Sequence, residues 1–283
     1  MIKQAIIPLA GLGTRLLPLT SVCPKELLPI NGKPGIEYIL DECIEAGIKE
    51  VIFIISQKKK IIKNYFYNDI FFKKIIKTKK DPRIKKEYKK ILKYKKMIKF
   101  VYQNKPLGTG DAVLKTKKFI KNDYFLMLLP DDLIIKKNCS KSMIEIHKRF
   151  NTSVMASMNV NRNTVTRWGI YKIKKKINKK NYLISGVVEK PSINKAPSNK
   201  AVIGRYILPK SIFLKLSNLK SGKGGEKHIT DAIQSLINDN ENFIAHNFAG
   251  KYLDCGSMTG YIKSSLEISK SWNYAWLELV MLD

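Results

Sequence analysis

Short apolar runs alternate with helix-patterned segments along the first half of the chain, and this alternation constrains the fold more than any other feature. Residues 5–9 and 51–55 are apolar runs of strand length, and residues 34–44 between them carry apolar side chains at helical spacing. A strand, a helix and a second strand in this order form a βαβ unit, which requires a parallel sheet with a right-handed crossover. Apolar runs at residues 98–102 and 123–129 add two strands. The sequence therefore predicts an α/β fold, with a Rossmann-like, mixed but mostly parallel sheet flanked by helices.

A glycine-bearing loop directly follows the first predicted strand. It reads Ala10-Gly11-Leu12-Gly13-Thr14-Arg15, and Pro24-Lys25-Glu26 comes about ten residues later. Two glycines allow backbone N–H groups to turn inward and allow a ligand to approach closely, while Arg15 and Lys25 supply fixed positive charge. Leu16 stands where the dinucleotide fingerprint requires its third glycine, so an NAD site is not indicated. Backbone donors with two cations suit a triphosphate better than an uncharged ligand.

A second glycine-bearing turn and two aspartates at a strand end lie at the same edge of the sheet as the first loop, where a ligand is predicted to bind. Gln103 and the turn at residues 104–110 follow the third predicted strand, and Asp131 and Asp132 follow the fourth. Ligands of open α/β sheets bind beyond the carboxyl ends of the strands. Two aspartates facing a phosphate pocket repel the substrate unless a divalent ion intervenes, and their oxygens favour Mg²⁺. Neighbouring side chains point apart on an extended chain, so at most one should contact the ion. A helix N-cap or turn is the structural alternative.

The composition narrows the class of protein without defining it. The chain of 283 residues carries a formal net charge of +30, and nearly all of its cations are lysine. Because Lys, Ile, Asn, Tyr and Phe share AT-rich codons, codon bias explains this composition, and no specific nucleic-acid partner is expected. No run of about 18 apolar residues indicates a membrane span, and no secretory signal is read at the N-terminus. Four cysteines without metal-site spacing favour a reducing, cytoplasmic location.

The rest of the chain supplies further strands with polar or glycine-bearing ends. One strand ends in Glu189-Lys190-Pro191, an acid–base pair that an edge strand can also carry on its surface. Residues 224–233 look like the start of a helix with Thr230 as its capping residue. His228 and Cys255 have no partner at metal-ligand or catalytic spacing. Apolar patterns also predict one or two peripheral helices over 57–99, broken near Asp81-Pro82, a helix over 140–150, and strands over 153–160, 242–247 and 251–254.

Several of these segments occur in the order found in the sugar-1-phosphate nucleotidylyltransferases, and the chain resembles that family from residue 2 to about residue 271. The fold that the resemblance implies is the nucleotide-diphospho-sugar transferase type. The motifs that carry it include Ala-Gly-Leu-Gly-Thr-Arg at 10–15, Pro-Lys-Glu-Leu-Leu-Pro at 24–29, Val-Val-Glu-Lys-Pro at 187–191, Val-Ile-Gly-Arg-Tyr at 202–206 and Leu-Asp-Cys-Gly at 253–256.

The resemblance implies a role for each matching position. Arg15 and Lys25 would be the catalytic cations, and Asp131 and Asp254 would bind Mg²⁺. Position 111 departs from the pattern, because it is Asp where close family members often carry His. The nucleotide-binding positions would be Ala10, Gly11, Gly13, Thr14, Glu26, Gln103 and Gly108, and the sugar-phosphate-binding positions would be Asp132, Gly169, Glu189, Lys190 and Gly204.

The activity that the resemblance implies is Mg²⁺-dependent transfer of UMP from UTP to α-D-glucose 1-phosphate, which gives UDP-glucose and pyrophosphate. Gln103 would hydrogen-bond the uracil edge, Glu189 would accept hydrogen bonds from sugar hydroxyls, and Lys190 would bind the sugar phosphate. Three alternatives remain open: thymidylyl transfer from dTTP, a non-catalytic regulatory module of the same fold, and a nucleic-acid-binding protein suggested by charge alone.

The implied organisation is a single catalytic domain over residues 1–256, with a nucleotide half at about 1–135 and a sugar half at about 136–256. Residues 257–283 are interpreted as a C-terminal helix followed by an aromatic tail that contains Trp272 and Trp276. An aromatic tail of this kind suggests packing or a subunit contact. A homo-oligomer, either a dimer or a tetramer, is therefore expected.

Overall fold

A nine-stranded mixed sheet forms the central layer of the protein, and helices cover both of its faces. The computed structural model describes residues 1–220 and 225–271. The strands are β1 (Gln4–Pro8), β2 (Pro29–Ile30), β3 (Lys33–Pro34), β4 (Glu50–Ile55), β5 (Ile98–Tyr102), β6 (Tyr124–Leu128), β7 (Asp132–Ile135), β8 (Ser153–Asn159), β9 (Gly169–Lys176), β10 (Asn181–Glu189), β11 (Lys200–Pro209), β12 (Phe243–Asn247) and β13 (Lys251–Asp254). The α-helices are α1 (Gly35–Glu45), α2 (Lys60–Tyr67), α3 (Ile70–Lys79), α4 (Pro82–Met97), α5 (Gly108–Leu114), α6 (Cys139–Phe150), α7 (Ile212–Asn218), α8 (Ile229–Asn238) and α9 (Met258–Ser271).

Four parallel strands in the order β5-β4-β1-β6 form the half of the sheet nearest the N-terminus in sequence. Helix α1 connects β1 to β4, and helices α2 to α4 connect β4 to β5. The chain then crosses back through α5 to add β6 on the other side of β1. The direction of winding therefore reverses between β1 and β6. Beyond the carboxyl ends of strands at such a reversal lies the crevice where open α/β sheets bind ligands.

The other half of the sheet, in the order β11-β8-β12-β10-β9, contains the antiparallel pairings. Strand β11 is antiparallel to β6 and β8, and β10 is antiparallel to β12 and β9. The other seven strands point in one direction, and the sheet combines parallel with antiparallel pairings, so the prediction of a mixed sheet flanked by helices is confirmed. A two-stranded antiparallel ribbon, β7–β13, pairs Asp132 with Asp254. This pairing brings two predicted site residues from distant parts of the sequence to one place.

Buried side chains of the central strands alternate between two apolar cores, one on each face of the sheet. Ile7 and Phe53 point into the first core, while Ile6 and Ile52 point into the second. Helices α1, α2, α4 and α6 close the first core, and α5, α7 and α8 close the second. Because both faces are covered, the central strands are apolar almost throughout, which is why they were readable as uninterrupted apolar runs.

The structure corrects two expectations about helices. Residues 57–99 contain three α-helices, not one or two, because the chain breaks at Asn68-Asp69 as well as at the predicted Asp81. Helix α8 begins at Ile229 with His228 as its N-cap, so Thr230 lies inside the helix and does not cap it. The tail containing Trp272 and Trp276 lies outside the described residues. In the part of the chain that the structure describes, no helix is both long and apolar enough to cross a membrane.

Candidate active site

A cavity of about 430 Å³ lies beyond the carboxyl ends of β1, β5 and β6. It has the size and the position expected of a small-molecule site in an α/β sheet. Eight of the positions assigned to the nucleotide or to catalysis line it, together with the proposed metal ligand Asp131. They are Ala10, Gly11, Gly13, Thr14, Lys25, Glu26, Gln103 and Gly108.

The two glycines of the first loop serve different purposes. Gly13 has a φ of +71°, and a Cβ added there would lie 3.1 Å from Cγ2 of Thr20, whose hydroxyl donates to the Gly13 carbonyl. The backbone conformation therefore favours glycine at this position. Gly11 has no protein atom within 4 Å of an added Cβ. Protein packing does not require glycine at position 11, so its absent side chain leaves open space that a ligand can use.

Lys25, Asp131 and Arg15 form a cluster of charges beside this loop. The distance from Asp131 Oδ2 is 2.7 Å to Lys25 Nζ and 3.6 Å to Arg15 Nη2. Burial lowers the pKa of Lys25, but the charges of Asp131 and Glu26 outweigh burial, so the pKa is raised overall. Burial raises the pKa of Asp131, and the Lys25 ammonium reverses that effect, so the pKa is lowered overall. The pair is therefore ionised, and Arg15, whose side chain is 69% exposed, is its solvent-facing neighbour.

Glu26 forms a buried ion pair with a lysine that the sequence did not single out. Both carboxylate oxygens of Glu26 accept hydrogen bonds from Lys59 Nζ, at 2.8 and 2.9 Å, and both side chains are largely buried. Burial lowers the pKa of Lys59 despite the opposing effect of Glu26. Lys59 belongs to a lysine-rich run that predicts only a solvated surface, so nothing in its sequence context revealed this role.

Gln103 and Gly108 form the opposite wall of the cavity. Gly108 has a φ of +90°, and an added Cβ would lie 2.5 Å from the carbonyl oxygen of Lys227. The backbone of Lys227 donates to Leu107 and accepts from Gly110, which fastens residues 226 and 227 to this turn. Glu226 consequently lines the cavity. The sequence suggested only a helix start near Glu226, because this long-range backbone pairing leaves no local pattern.

Asp131 and Asp132 point apart, as expected for neighbours on an extended chain. Asp132 Oδ2 accepts a hydrogen bond from the Gly204 N–H at 2.8 Å, and its Oδ1 accepts one from the Tyr252 hydroxyl at 2.7 Å. Burial, followed by the charge of Asp131, raises the pKa of Asp132. An added Cβ on Gly204 would lie 2.5 Å from Asp132 Oδ2, so a glycine is needed for this close approach.

A fully buried arginine supports the strand end that carries both aspartates. Arg205 donates to both carboxylate oxygens of Glu42, with the shorter bond at 2.8 Å, and its Nη1 donates to the Leu129 carbonyl at 3.1 Å. Breaking such a pair would leave one buried charge without compensation. The Glu42–Arg205 pair therefore holds the backbone just before Asp131 in place.

Asp131 and Asp254 face one another across Gly256. A Cβ added to Gly256 would lie 2.7 Å from Asp131 Oδ2, 3.1 Å from Arg15 Nη2 and 3.2 Å from Asp254 Oδ1. Asp254 Oδ1 also accepts a hydrogen bond from the Gly256 N–H. Among residues 1–220 and 225–271, no group of three or more His, Cys, Asp or Glu forms a metal cage. Two carboxylates that face one another nevertheless fit Mg²⁺, which commonly takes one or two protein carboxylates and completes its shell with water and substrate phosphates.

The remaining sugar-side positions meet at the β9–β10 hairpin. Glu189 pairs in register with Gly169, and an added Cβ on Gly169 would lie 3.1 Å from Glu189 Oε2. Lys190 Nζ lies 3.7 Å from Glu189 Oε1, and the side chains of Lys190 and Glu189 are 64% and 67% exposed. In the described part of the chain, none of these three residues lines the cavity. The structure thus brings Gly169, Glu189 and Lys190 together, but outside the cavity at the carboxyl ends of β1, β5 and β6.

The fold and this site define a nucleotide-handling α/β transferase. The family model described as nucleotidyl transferase matches residues 4–271, and the chain belongs to that family. It is similar to the UTP–glucose-1-phosphate uridylyltransferase of Mycoplasma pneumoniae, with 38% identity over 94% of this chain and 91% of the relative. Two solved structures are also similar. A UTP-bound UGPase from Acinetobacter baumannii has a TM-score of 0.89 and 33% identity, over 100% of this chain and 98% of the other. A UDP-glucose pyrophosphorylase complexed with UDP-glucose has a TM-score of 0.83 and 35% identity, over 96% of this chain and 100% of the other.

Proposed function

We propose that the protein transfers UMP from UTP to α-D-glucose 1-phosphate and releases pyrophosphate. The observation that carries this proposal is the cavity that joins the glycine loop and Gln103 to the Lys25–Asp131 ion pair. The choice of substrates is supported by the similar proteins, which are a UTP–glucose-1-phosphate uridylyltransferase, a UTP-bound UGPase and a UDP-glucose pyrophosphorylase complexed with UDP-glucose.

The nucleotide occupies the cavity with its phosphates along the first loop. Residues 10–14 offer backbone N–H groups, and the open space above Gly11 admits the phosphate chain. Gln103 faces the base from the opposite wall. The Glu26–Lys59 pair fixes the segment that carries Lys25, so the ammonium is in place before the substrate binds.

A phosphate oxygen of glucose 1-phosphate attacks the α-phosphorus of UTP in line. A new phosphorus–oxygen bond forms, the bond to the bridging oxygen breaks, and pyrophosphate leaves with the bonding electron pair. The attacking oxygen is already anionic, so no protein base is required. Lys25 stays protonated because its pKa is raised, and with Arg15 it offsets the repulsion between the two anionic substrates.

Asp131 and Asp254 are the residues that would hold Mg²⁺, since their oxygens flank the space beside Gly256. A bound ion would supply charge neutralisation and polarisation of the α-phosphate. Asp131 Oδ2 accepts a hydrogen bond from Lys25 in this structure, so the carboxylate that would hold the metal also keeps the Lys25 ammonium beside it. Arg205 and the β7–β13 ribbon hold the backbone of both aspartates from behind.

The sugar phosphate binds between the two halves of the site. Lys190 binds its phosphate and Glu189 accepts hydrogen bonds from sugar hydroxyls, while the absence of side chains at Gly169 and Gly204 lets Glu189 and Asp132 lie close to the backbone. Asp132 accepts hydrogen bonds from the Gly204 N–H and the Tyr252 hydroxyl, and these bonds hold β11 and β13 in place beside the sugar phosphate. Residues 1–256 act in this proposal as one catalytic domain of two halves.

An assay of purified protein tests the proposal directly. Incubation with UTP, glucose 1-phosphate and MgCl₂ should release pyrophosphate and form UDP-glucose, and excess EDTA should abolish turnover until MgCl₂ is restored. A parallel reaction with dTTP tests thymidylyl transfer. Preferred use of dTTP would replace the uridylyl assignment, and absence of turnover with either nucleotide, despite binding of UTP, would favour the non-catalytic module.

We also propose that the enzyme works in the cytoplasm as a homo-oligomer, with residues 257–283 contributing to the subunit contact. The cysteines Cys23, Cys43, Cys139 and Cys255 are unpaired, which agrees with a reducing compartment. Light scattering coupled to gel filtration should give a dimer or tetramer mass for the full chain. A monomer mass at assay concentrations would contradict this part of the proposal.

A further inference from the structure

The side-chain amide of Gln103 is held by two groups that can only accept hydrogen bonds. Its Nε2 donates to the Gly108 carbonyl oxygen at 3.1 Å and to Asp111 Oδ2 at 2.8 Å. Carbonyl and carboxylate oxygens have no proton to give, so the nitrogen of the amide must face them. Gln103 as a residue is only 5% exposed, and a buried amide in the opposite orientation would face two acceptors with its oxygen. One orientation is therefore fixed.

The fixed orientation leaves the amide oxygen for a ligand. Gln103 lines the nucleotide cavity, and no donor within residues 1–220 and 225–271 bonds to its Oε1. The cavity wall thus presents an acceptor where the base is expected. Uracil and thymine carry a ring N3–H that can donate to this oxygen. Cytosine carries a bare N3 lone pair at the same ring position, which would face the oxygen with a second acceptor.

We propose that Asp111 is a positioning residue that selects uracil over cytosine by fixing the orientation of the Gln103 amide. The inference rests on the proposed function, in that the cavity must hold the base of the nucleotide. Asp111 does not need to touch the base, because it acts through Nε2 of Gln103. Its second oxygen, Oδ1, lies 3.7 Å from Nζ of Lys115, the residue that caps the C-terminus of α5, and this ion pair favours the orientation that turns Oδ2 toward Gln103.

Loss of the carboxylate removes the main reason for one amide orientation over the other. With alanine at position 111, only the Gly108 carbonyl still holds Nε2, and rotation of the amide by half a turn can present the NH₂ group to the cavity. That rotated form suits the N3 acceptor of cytosine. The preference for UTP over CTP should therefore fall for two reasons, because UTP binds more weakly and CTP binds more tightly.

Equilibrium binding of UTP and CTP, measured by titration calorimetry in the presence of MgCl₂, tests this inference. The Asp111→Ala variant should lose about tenfold of the wild-type preference for UTP over CTP. Asp111→Asn keeps the size of the side chain, but its amide can pair with either face of Gln103, so it should also lose selectivity. Asp231, which is exposed in the first turn of α8, provides a matched control, and Asp231→Ala should keep the wild-type ratio.

A double-variant cycle separates action through Gln103 from a general weakening of the site. In a Gln103→Ala background, Asp111→Ala should leave the UTP-to-CTP ratio unchanged, because the amide that it positions is gone. An unchanged ratio in both single Asp111 variants would overturn the inference, and so would an equal further loss in the Gln103→Ala background. Because binding is measured without turnover, a protein that selects UTP but makes no UDP-glucose would contradict the proposed function and not this inference.

Discussion

The proposed nucleotide side of the site and its proposed sugar side are built differently. Lys25 and Asp131 on the nucleotide side have side chains that are 15% and 18% exposed, and they lie 2.7 Å apart. Glu189 and Lys190 on the sugar side are more than 60% exposed and lie 3.7 Å apart. Packing holds the first pair in place without a ligand, whereas water competes for each member of the second. The charged pair on the proposed nucleotide side is therefore preorganised, whereas packing does not hold the exposed pair on the proposed sugar side.

The difference follows from where each pair lies in the fold. Asp131 follows a strand at the centre of the sheet, with covered faces on both sides and Arg205 beneath the preceding backbone. Glu189 ends a strand of the outer β9–β10 hairpin. Preorganised charges stabilise a transition state most effectively, while flexible surface charges mainly contribute to affinity. Changes on the nucleotide side should therefore reduce the rate, and changes on the sugar side should weaken substrate binding.

Lys25→Ala should have the largest effect. Removal of a preorganised cation beside the reacting phosphates should reduce kcat by about a thousandfold, as is typical for loss of one such electrostatic group. Steady-state kinetics with both substrates saturating would measure the loss. Lys33→Ala is a matched control, because Lys33 also pairs with an aspartate, Asp41, but lies outside the cavity lining. A loss confined to the KM for UTP would show that Lys25 binds the nucleotide without contributing to the chemical step.

The sugar half also differs from the nucleotide half in that one strand of its sheet carries a buried histidine, His246. Burial, followed by the charge of Lys180, lowers the pKa of His246 from 6.5 to about 4, and its Nδ1 lies 2.7 Å from Asn181 Oδ1. The folded state therefore favours neutral His246, and its contribution to stability is complete above pH 6.5 and is lost as the pH falls toward 4. The loss between pH 7 and pH 5 should be about 2 kcal/mol.

Denaturant unfolding of wild type and His246→Gln at both pH values isolates this contribution. Glutamine keeps a hydrogen-bond donor on a side chain of similar length but does not titrate. The variant should therefore be less stable than wild type at pH 7, and its free energy of unfolding should fall less than that of wild type between pH 7 and pH 5. Equal losses in the two proteins would show that His246 is not the titrating group. Because His246 lies on β12, far along the sheet from β1, binding of UTP at pH 7 should be the same in both proteins.

The sequence predicted the groups whose positions follow from local patterns. Apolar runs located the central strands, and their carboxyl ends located Gly11, Gln103 and Asp131 at one edge of the sheet. Lys59 and Glu226 could not be found in this way, because long-range pairing brings them to the site. Lys59 is held by its hydrogen bonds to Glu26, and Glu226 is held by the backbone hydrogen bonds of Lys227 to the Gly108 turn. The orientation of Gln103 was hidden for the same reason, since it depends on which atoms of residues 108 and 111 face it in three dimensions.

Lys190→Ala should have the smallest effect of the three substitutions and the clearest separation between substrates. An exposed lysine contributes to phosphate binding mainly as a point charge in water, so its loss should raise the KM for glucose 1-phosphate about tenfold. The KM for UTP and the value of kcat should change little. Lys195→Ala removes another exposed lysine, from the short helical turn that follows, and should leave all three constants unchanged.

The salt dependence of the KM change in Lys190→Ala also tests whether the sugar side becomes ordered and dry when the substrates bind. If Lys190 is ordered only by the substrate, its contribution is screened by salt, and raising the ionic strength should shrink the difference between wild type and Lys190→Ala. If the sugar side closes into a dry, preorganised site in the complex, the difference should persist in high salt and should extend to kcat. The second result would remove the contrast between the two halves, because both would then act as rigid electrostatic groups in the transition state.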